Sequence, residues 1–172
     1  MFAIVLAALD RSGSVLPILC AMAVHELAHI VMMLACGGQV RRLTLRFADF
    51  QIAASGLGYR QELLSALAGP LVNLICGAAF CMQRPSFAAY SLMLGLYNLL
   101  PVWPLDGGRM IRCVLLARLP ITQAEHISEI VSFAACAVLL LIGVFLTFFR
   151  KSGLWPLGTA AYLTVRLLML AR

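Results

Sequence analysis

Apolar runs separated by short polar breaks set the plan of this 172-residue chain. Residues 2–9 are apolar but fall short of the roughly 20 residues a helix needs to cross a bilayer. Asp10, Arg11, Ser12 and Gly13 break that run, which leaves a shortened or interfacial first helix. Residues 14–36 form the first clear span, ended by Gly37 and Gly38. The stretch 39–60 has a different rhythm. Leu43, Leu45 and Phe47 alternate with Thr44, Arg46 and Ala48, the period of a strand. Phe50 and Ile52 continue in the opposite phase, so a slip at Ala48–Asp49 predicts two short strands or a strand with a bulge.

Residues 61–82 make a second span, with Gly69 and Pro70 inside it. After Gln83-Arg84-Pro85 a third runs from 86 to 118, interrupted at 98–108 by NLLPVWPLDGG. Two prolines and a glycine pair cannot continue an ordinary helix. Irregular backbone at membrane depth is tolerated only where protein buries it or where it lines a cavity. Residues 127–149 and 153–170 give two more spans, divided by Arg150, Lys151, Ser152 and Gly153. The pattern predicts an all-α polytopic membrane protein of about five to six transmembrane helices, with a small strand or loop insertion after the first clear span. It reads as one membrane-embedded domain over 1–172, with a core at 14–118 and accessory helices at 127–170.

Composition supports that plan. Hydrophobic residues make up 63% of the chain and charged residues 12%, too apolar for a soluble domain. The net charge is +6, but Arg41, Arg42, Arg150 and Lys151 lie between apolar runs. They read as topology signals and not as a nucleic-acid surface. The loop 39–60, Arg118 and Arg172 outweigh Arg11, Arg84, Arg150 and Lys151, which makes the loop side cytoplasmic. Six cysteines, Cys20, Cys36, Cys76, Cys81, Cys113 and Cys136, include no C-x-x-C pair and read as packing. The start of the chain lacks the basic residues and cleavage site of a signal peptide.

The chemistry sits in AVHELAHI, residues 23–30. Four residues turn a helix by about 400°, so His25 and His29 share one face, one turn apart. Two imidazoles at that spacing can hold a zinc ion, with Glu26 beside them as a base. Ionisable groups at bilayer depth cost roughly 3 kcal/mol each on insertion scales and point to function. A catalytic zinc takes three protein ligands, so one is still to be found. His126, beside Glu125, reads as a solvated loop residue. Asp106 is the better candidate, in the broken span and followed by Gly107 and Gly108, which allow close approach. Spacing alone leaves a second reading open, in which Asp106 caps the helix that follows.

HELAH in one span and NLLPVWPLDGG in a later one resemble the site-2 protease (M50-type) family of intramembrane zinc metalloproteases. AGPLVN, residues 68–73, is similar to the family's segment on the intervening helix. The phrase around the aspartate is most similar to the stage IV sporulation protein FB branch. The resemblance covers residues 14–118 and weakens beyond. It implies Asp106 as the third zinc ligand, Asn98 near the substrate carbonyl, and Pro104 as a residue that shapes the site. Asn73 has a polar role toward substrate open to it, with bonding between helices as the plainer alternative. The branch cleaves a sporulation sigma-factor precursor and carries a nucleotide-sensing domain after its last helix. This chain stops at Arg172 and contains no G-x-x-x-x-G-K-[ST] or G-x-G-x-x-G cradle. The expectation is an enzyme with no soluble regulatory domain, insensitive to nucleotide, controlled by substrate supply or by an inhibitory membrane partner.

The sequence therefore predicts a zinc metalloendopeptidase that hydrolyses a peptide bond of a membrane-associated or membrane-spanning protein. Its setting would be a bacterial inner membrane, with the active site nearer the cytoplasmic side. Two rival readings stand beside it. A metal-ion transporter would use the same groups for translocation, with Glu26 as a ligand. An inactive protease-like scaffold would keep the fold without the chemistry. Arg109 offers a contact to a substrate carboxylate, with an interfacial basic residue as the ordinary alternative.

Overall fold

The computed structural model describes residues 13–46, 49–55, 57–149 and 155–170. The expectation for residues 2–9 and the slip at Ala48 fall outside them. Among the described residues six helices and a two-stranded antiparallel hairpin follow in order: α1 Val15–Ala35, β1 Gln39–Arg46, β2 Asp49–Ser55, α2 Tyr59–Ala79, α3 Pro85–Asn98, α4 Asp106–Leu116, α5 Ile121–Phe149 and α6 Trp155–Leu170. The predicted all-α membrane architecture with a strand insertion after the first clear span is what forms. By length and composition α1, α2 and α5 can each cross a membrane. The chain divides into two units, Met1–Leu99 and Leu100–Arg172.

In the first unit α1 packs on α2 and α3, and α2 on α3. The buried side of α1 is Ala21, His25, His29 and Met33, a step of four residues repeated along one face. On α2 the same step carries Ser65, Gly69, Asn73 and Gly77, all buried. Small side chains let helix backbones approach where lipid offers no hydrophobic drive to association. Gly77 illustrates this: a Cβ there would overlap the Leu92 side chain and stand 3.1 Å from the Ala88 carbonyl of α3. Gly95 answers from α3, where a Cβ would come 3.0 Å from the Pro70 carbonyl.

α1 ends in a Schellman motif. Gly37 takes φ 80°, its N–H bonds to the Leu34 carbonyl at 3.0 Å, and the Gly38 N–H bonds to Met33 at 3.0 Å. The hairpin follows, with Leu43 paired to Ile52 and Leu45 to Phe50, and one irregularity between Val40 and Arg42. Gln61 then ties the start of α2 back to the end of α1. Its Oε1 accepts from the Gly58 N–H at 2.8 Å and its Nε2 donates to the Cys36 carbonyl at 3.1 Å. Gln61 thus bridges the two ends of the insertion.

In the second unit α4 and α6 each pack on α5. α5 begins at Ile121, six residues before the predicted span, because Pro120 starts it: the Ala124 N–H bonds to the Pro120 carbonyl at 3.0 Å. His126 therefore lies on an exposed helix face and not in a loop. All six cysteines are free thiols, as expected, with Cys113 and Cys136 buried.

Candidate metal centre

His25 and His29 project from the buried side of α1, with 4% and 6% of their surface exposed. Their rings meet edge to face with centroids 4.7 Å apart, and the two Nε2 atoms are 3.1 Å apart. Each ring's other nitrogen meets α2. His29 Nδ1 donates to the Ser65 carbonyl at 2.6 Å, and the Ser65 hydroxyl returns a bond to the His29 carbonyl at 3.4 Å. With Nδ1 carrying the proton, His29 Nε2 presents its lone pair. His25 Nδ1 lies 3.2 Å from the Asn73 amide nitrogen. Metal-binding histidines show this arrangement, with the outer nitrogen held by a carbonyl or amide and the inner one turned to the ion.

Gly69 makes room for the pair. A Cβ on it would overlap His29 Nε2 and Cε1 and come 2.9 Å from His25 Cε1. Ser65, Gly69 and Asn73 thus form a floor of one acceptor, one gap and one amide beneath the two rings. Two convergent imidazoles whose outer nitrogens are both engaged fit a cation such as zinc, which takes imidazole nitrogen. Glu26 follows His25 on the next helical position and is half-buried.

In the second unit Asp106 is the first residue of α4, and the N-cap position belongs to Leu105. Asp106 is 7% exposed, and Arg109 reaches its Oδ1 at 3.6 Å from the next turn. The loop before it is fixed from several sides. The Trp103 N–H donates to the Ser132 hydroxyl at 3.1 Å, which donates in turn to the Ser128 carbonyl at 2.9 Å. The Arg112 guanidinium lies 5.6 Å from the Trp103 ring centroid and pairs with Glu125 at 3.0 Å. Val102 is fully buried, and a Cβ on Gly108 would stand 2.5 Å from Val102 and Trp103 backbone atoms. Only glycine lets the helix start fold so tightly on its own loop. The Trp103–Pro104 peptide is cis.

Asn98 closes α3, and its amide donates to the Leu94 carbonyl at 3.0 Å. Asn73 is fully buried and joins α2 to α1. Sequence reasoning passed over Ser65 and gave Gly69 no role beside the histidines. Their signal was there, in the four-residue step Ser65, Gly69, Asn73, Gly77 along an apolar helix. His25 and His29 in the first unit and Asp106 in the second are each buried, and imidazole nitrogen and carboxylate oxygen are donors that zinc takes.

Comparison with known proteins agrees with this chemistry. Residues 82–142 match the model of peptidase family M50. A zinc metalloprotease of Methanocaldococcus jannaschii is 26% identical over 133 residues, covering 70% of this chain and 39% of its own. Stage IV sporulation protein FB of Bacillus subtilis is 28% identical over 138 residues, covering 73% of this chain and 47% of its own. The chain thus spans less than half the length of these curated relatives. The solved site-2 protease from Methanocaldococcus jannaschii superposes with a TM-score of 0.72 at 20% identity, over 99% of this chain and 85% of that one. The fold is that of the solved site-2 protease, a peptidase family M50 model matches residues 82–142 of this integral membrane chain, and the similar curated proteins include zinc metalloproteases.

Proposed function

We propose that the chain is an intramembrane zinc endopeptidase, with His25, His29 and Asp106 as ligands and Glu26 as the base. The observation that carries the reading is the histidine pair: two buried Nε2 atoms 3.1 Å apart, with both outer nitrogens engaged by α2. The donor chemistry and burial of Asp106, and its place in the D-G motif, support it as the third ligand. Zinc bound there would polarise a substrate carbonyl and lower the pKa of a coordinated water toward neutrality.

The chain's own residues would do the rest. The Glu26 carboxylate takes the proton of the attacking water and passes it to the nitrogen of the departing amine. Asn98, at the end of α3, holds the substrate backbone or the oxygen on which charge develops. Pro104 shapes the loop that presents Asp106. The hairpin β1–β2 lends a backbone edge along which an unwound substrate lies extended. The substrate is a membrane-associated protein, and the resemblance to the sporulation branch makes a sigma-factor precursor the first to test. The excess of basic residues on the loop side supports a cleft that faces the cytoplasm of a bacterial inner membrane.

The test is co-expression with candidate substrates, wild type against Glu26→Gln. A product formed by the wild type and absent from the variant supports the reading. Equal product from both would remove Glu26 as the base.

A further inference from the structure

Asn73 is fully buried, its Nδ2 faces His25 Nδ1 at 3.2 Å, and its Oδ1 has no hydrogen-bond partner among the described residues. A half-turn of the amide exchanges the two atoms, and the two arrangements differ in what they do to His25. With Nδ2 toward the ring, His25 Nδ1 must accept, so the proton sits on Nε2 and that nitrogen has no lone pair to give. With Oδ1 toward the ring, Nδ1 carries the proton and Nε2 offers its lone pair beside that of His29.

The surroundings favour the second arrangement. Asn73 lies inside a helix packed on helices, where backbone N–H groups are spent on the i−4 ladder. Helix carbonyls keep a second lone pair. An amide NH2 turned toward such walls meets acceptors, whereas an oxygen turned there meets no spare donor. A buried amide oxygen left unpaired keeps its full desolvation cost, so the arrangement that pairs it is favoured.

We infer that Asn73 is a positioning residue: its Oδ1 accepts the His25 Nδ1–H and sets the tautomer that makes Nε2 a metal ligand. It does for His25 what the Ser65 carbonyl does for His29. The inference rests on the proposed metal centre and adds a residue to it. Ligand-orienting partners of this kind are worth roughly 10–100-fold in metal affinity.

Zinc affinity of detergent-purified full-length protein, measured by competition with a fluorescent chelator, tests it without reading activity. Asn73→Leu keeps the branched shape and removes the acceptor, and should bind zinc about 10–100-fold more weakly. Asn73→Asp presents oxygen in either orientation and should stay within a few-fold of wild type. Ser91→Ala removes the other unpartnered buried polar group and should leave affinity unchanged. Equal affinity of Asn73→Leu and wild type, or an Asp variant as weak as the Leu variant, would overturn the inference and leave the metal centre standing. A wild type that takes up no zinc would overturn the metal centre, and the inference with it. Should the Leu variant not fold, zinc-loaded wild type decides alone by nitrogen-15 histidine spectra. His25 should show a downfield Nδ1–H like that of His29, and a Nδ1–H without that shift would count against Asn73.

Discussion

Gly69 of α2 stands so close to His29 of α1 that a methyl group on the glycine would overlap the imidazole Nε2. The contact is with the nitrogen proposed as a metal ligand, on a ring pinned from behind by the Ser65 carbonyl. The ring cannot retreat without breaking that bond, so the helices would have to part. Gly69→Ala should therefore insert into the membrane yet lose zinc affinity by at least tenfold. Misplacing a catalytic group by about 1 Å costs on the order of 100-fold in rate, so cleavage should fall at least that far. Zinc titration and a cleavage assay on the same preparation check both. Full retention of zinc would mean that α2 shifts without disturbing the pair.

Gly108 makes a different demand. Its neighbours are backbone atoms of Val102 and Trp103 at 2.5 Å, and backbone yields less readily than a flexible side chain. Gly108→Ala should lower the stability of the second unit by about 1–3 kcal/mol, the usual cost of overpacking. Thermal unfolding in detergent would show the loss, and cleavage should drop as Asp106 is displaced. Ser132→Ala, which removes the acceptor for the Trp103 N–H, should cost less, about 1 kcal/mol.

The hairpin gives a third prediction. Leu45 pairs with Phe50 in the β1–β2 ladder. Proline removes a backbone donor and fixes φ, so Leu45→Pro should break the ladder locally. If the hairpin holds substrate extended, cleavage should fall several-fold or more while zinc content stays at the wild-type level. Unchanged turnover would make the hairpin a connector.

Much of this was legible in the sequence, for identifiable reasons. His25 and His29 reveal themselves because a four-residue step in an apolar run has one helical meaning, and the polar cost of membrane depth makes chance residence rare. The broken span is equally plain, since Pro101 and Pro104 forbid a continuous helix, while Gly107 and Gly108 fall inside α4. The strand alternation after α1 survives as a real hairpin because neither strand contains proline and the side-chain period is two. The partners of the histidines were harder to see. Ser65 holds the His29 ring through its carbonyl, which every residue has, and Gly69 acts by having no side chain. Neither leaves a chemical mark in a sequence, and only the spacing to Asn73 hints that they share a face. His126 was misplaced because its polar neighbours read as a loop, although Pro120 at the start makes them the first turns of α5. Arg109 also reads differently in three dimensions. As an isolated basic residue it invites a substrate carboxylate, yet its guanidinium lies against Asp106.

The salt bridge to Arg109 makes a fourth prediction. Arg109→Ala removes a cation 3.6 Å from the Asp106 carboxylate. Without metal, that cation compensates a buried charge. The metal-free variant should therefore unfold at lower temperature than the metal-free wild type, and saturating zinc should narrow the difference. A constant gap with and without zinc would show that Arg109 acts independently of the site.

The most direct measurement is zinc per chain by elemental analysis of purified protein after removal of loosely held metal. Wild type should hold one zinc per chain, and Glu26→Gln should hold the same, because the base is not a ligand. His25→Ala, His29→Ala and Asp106→Ala should each lose it. Wild-type protein without stoichiometric zinc, or Asp106→Ala with its full complement, would contradict the ligand set on which the account stands.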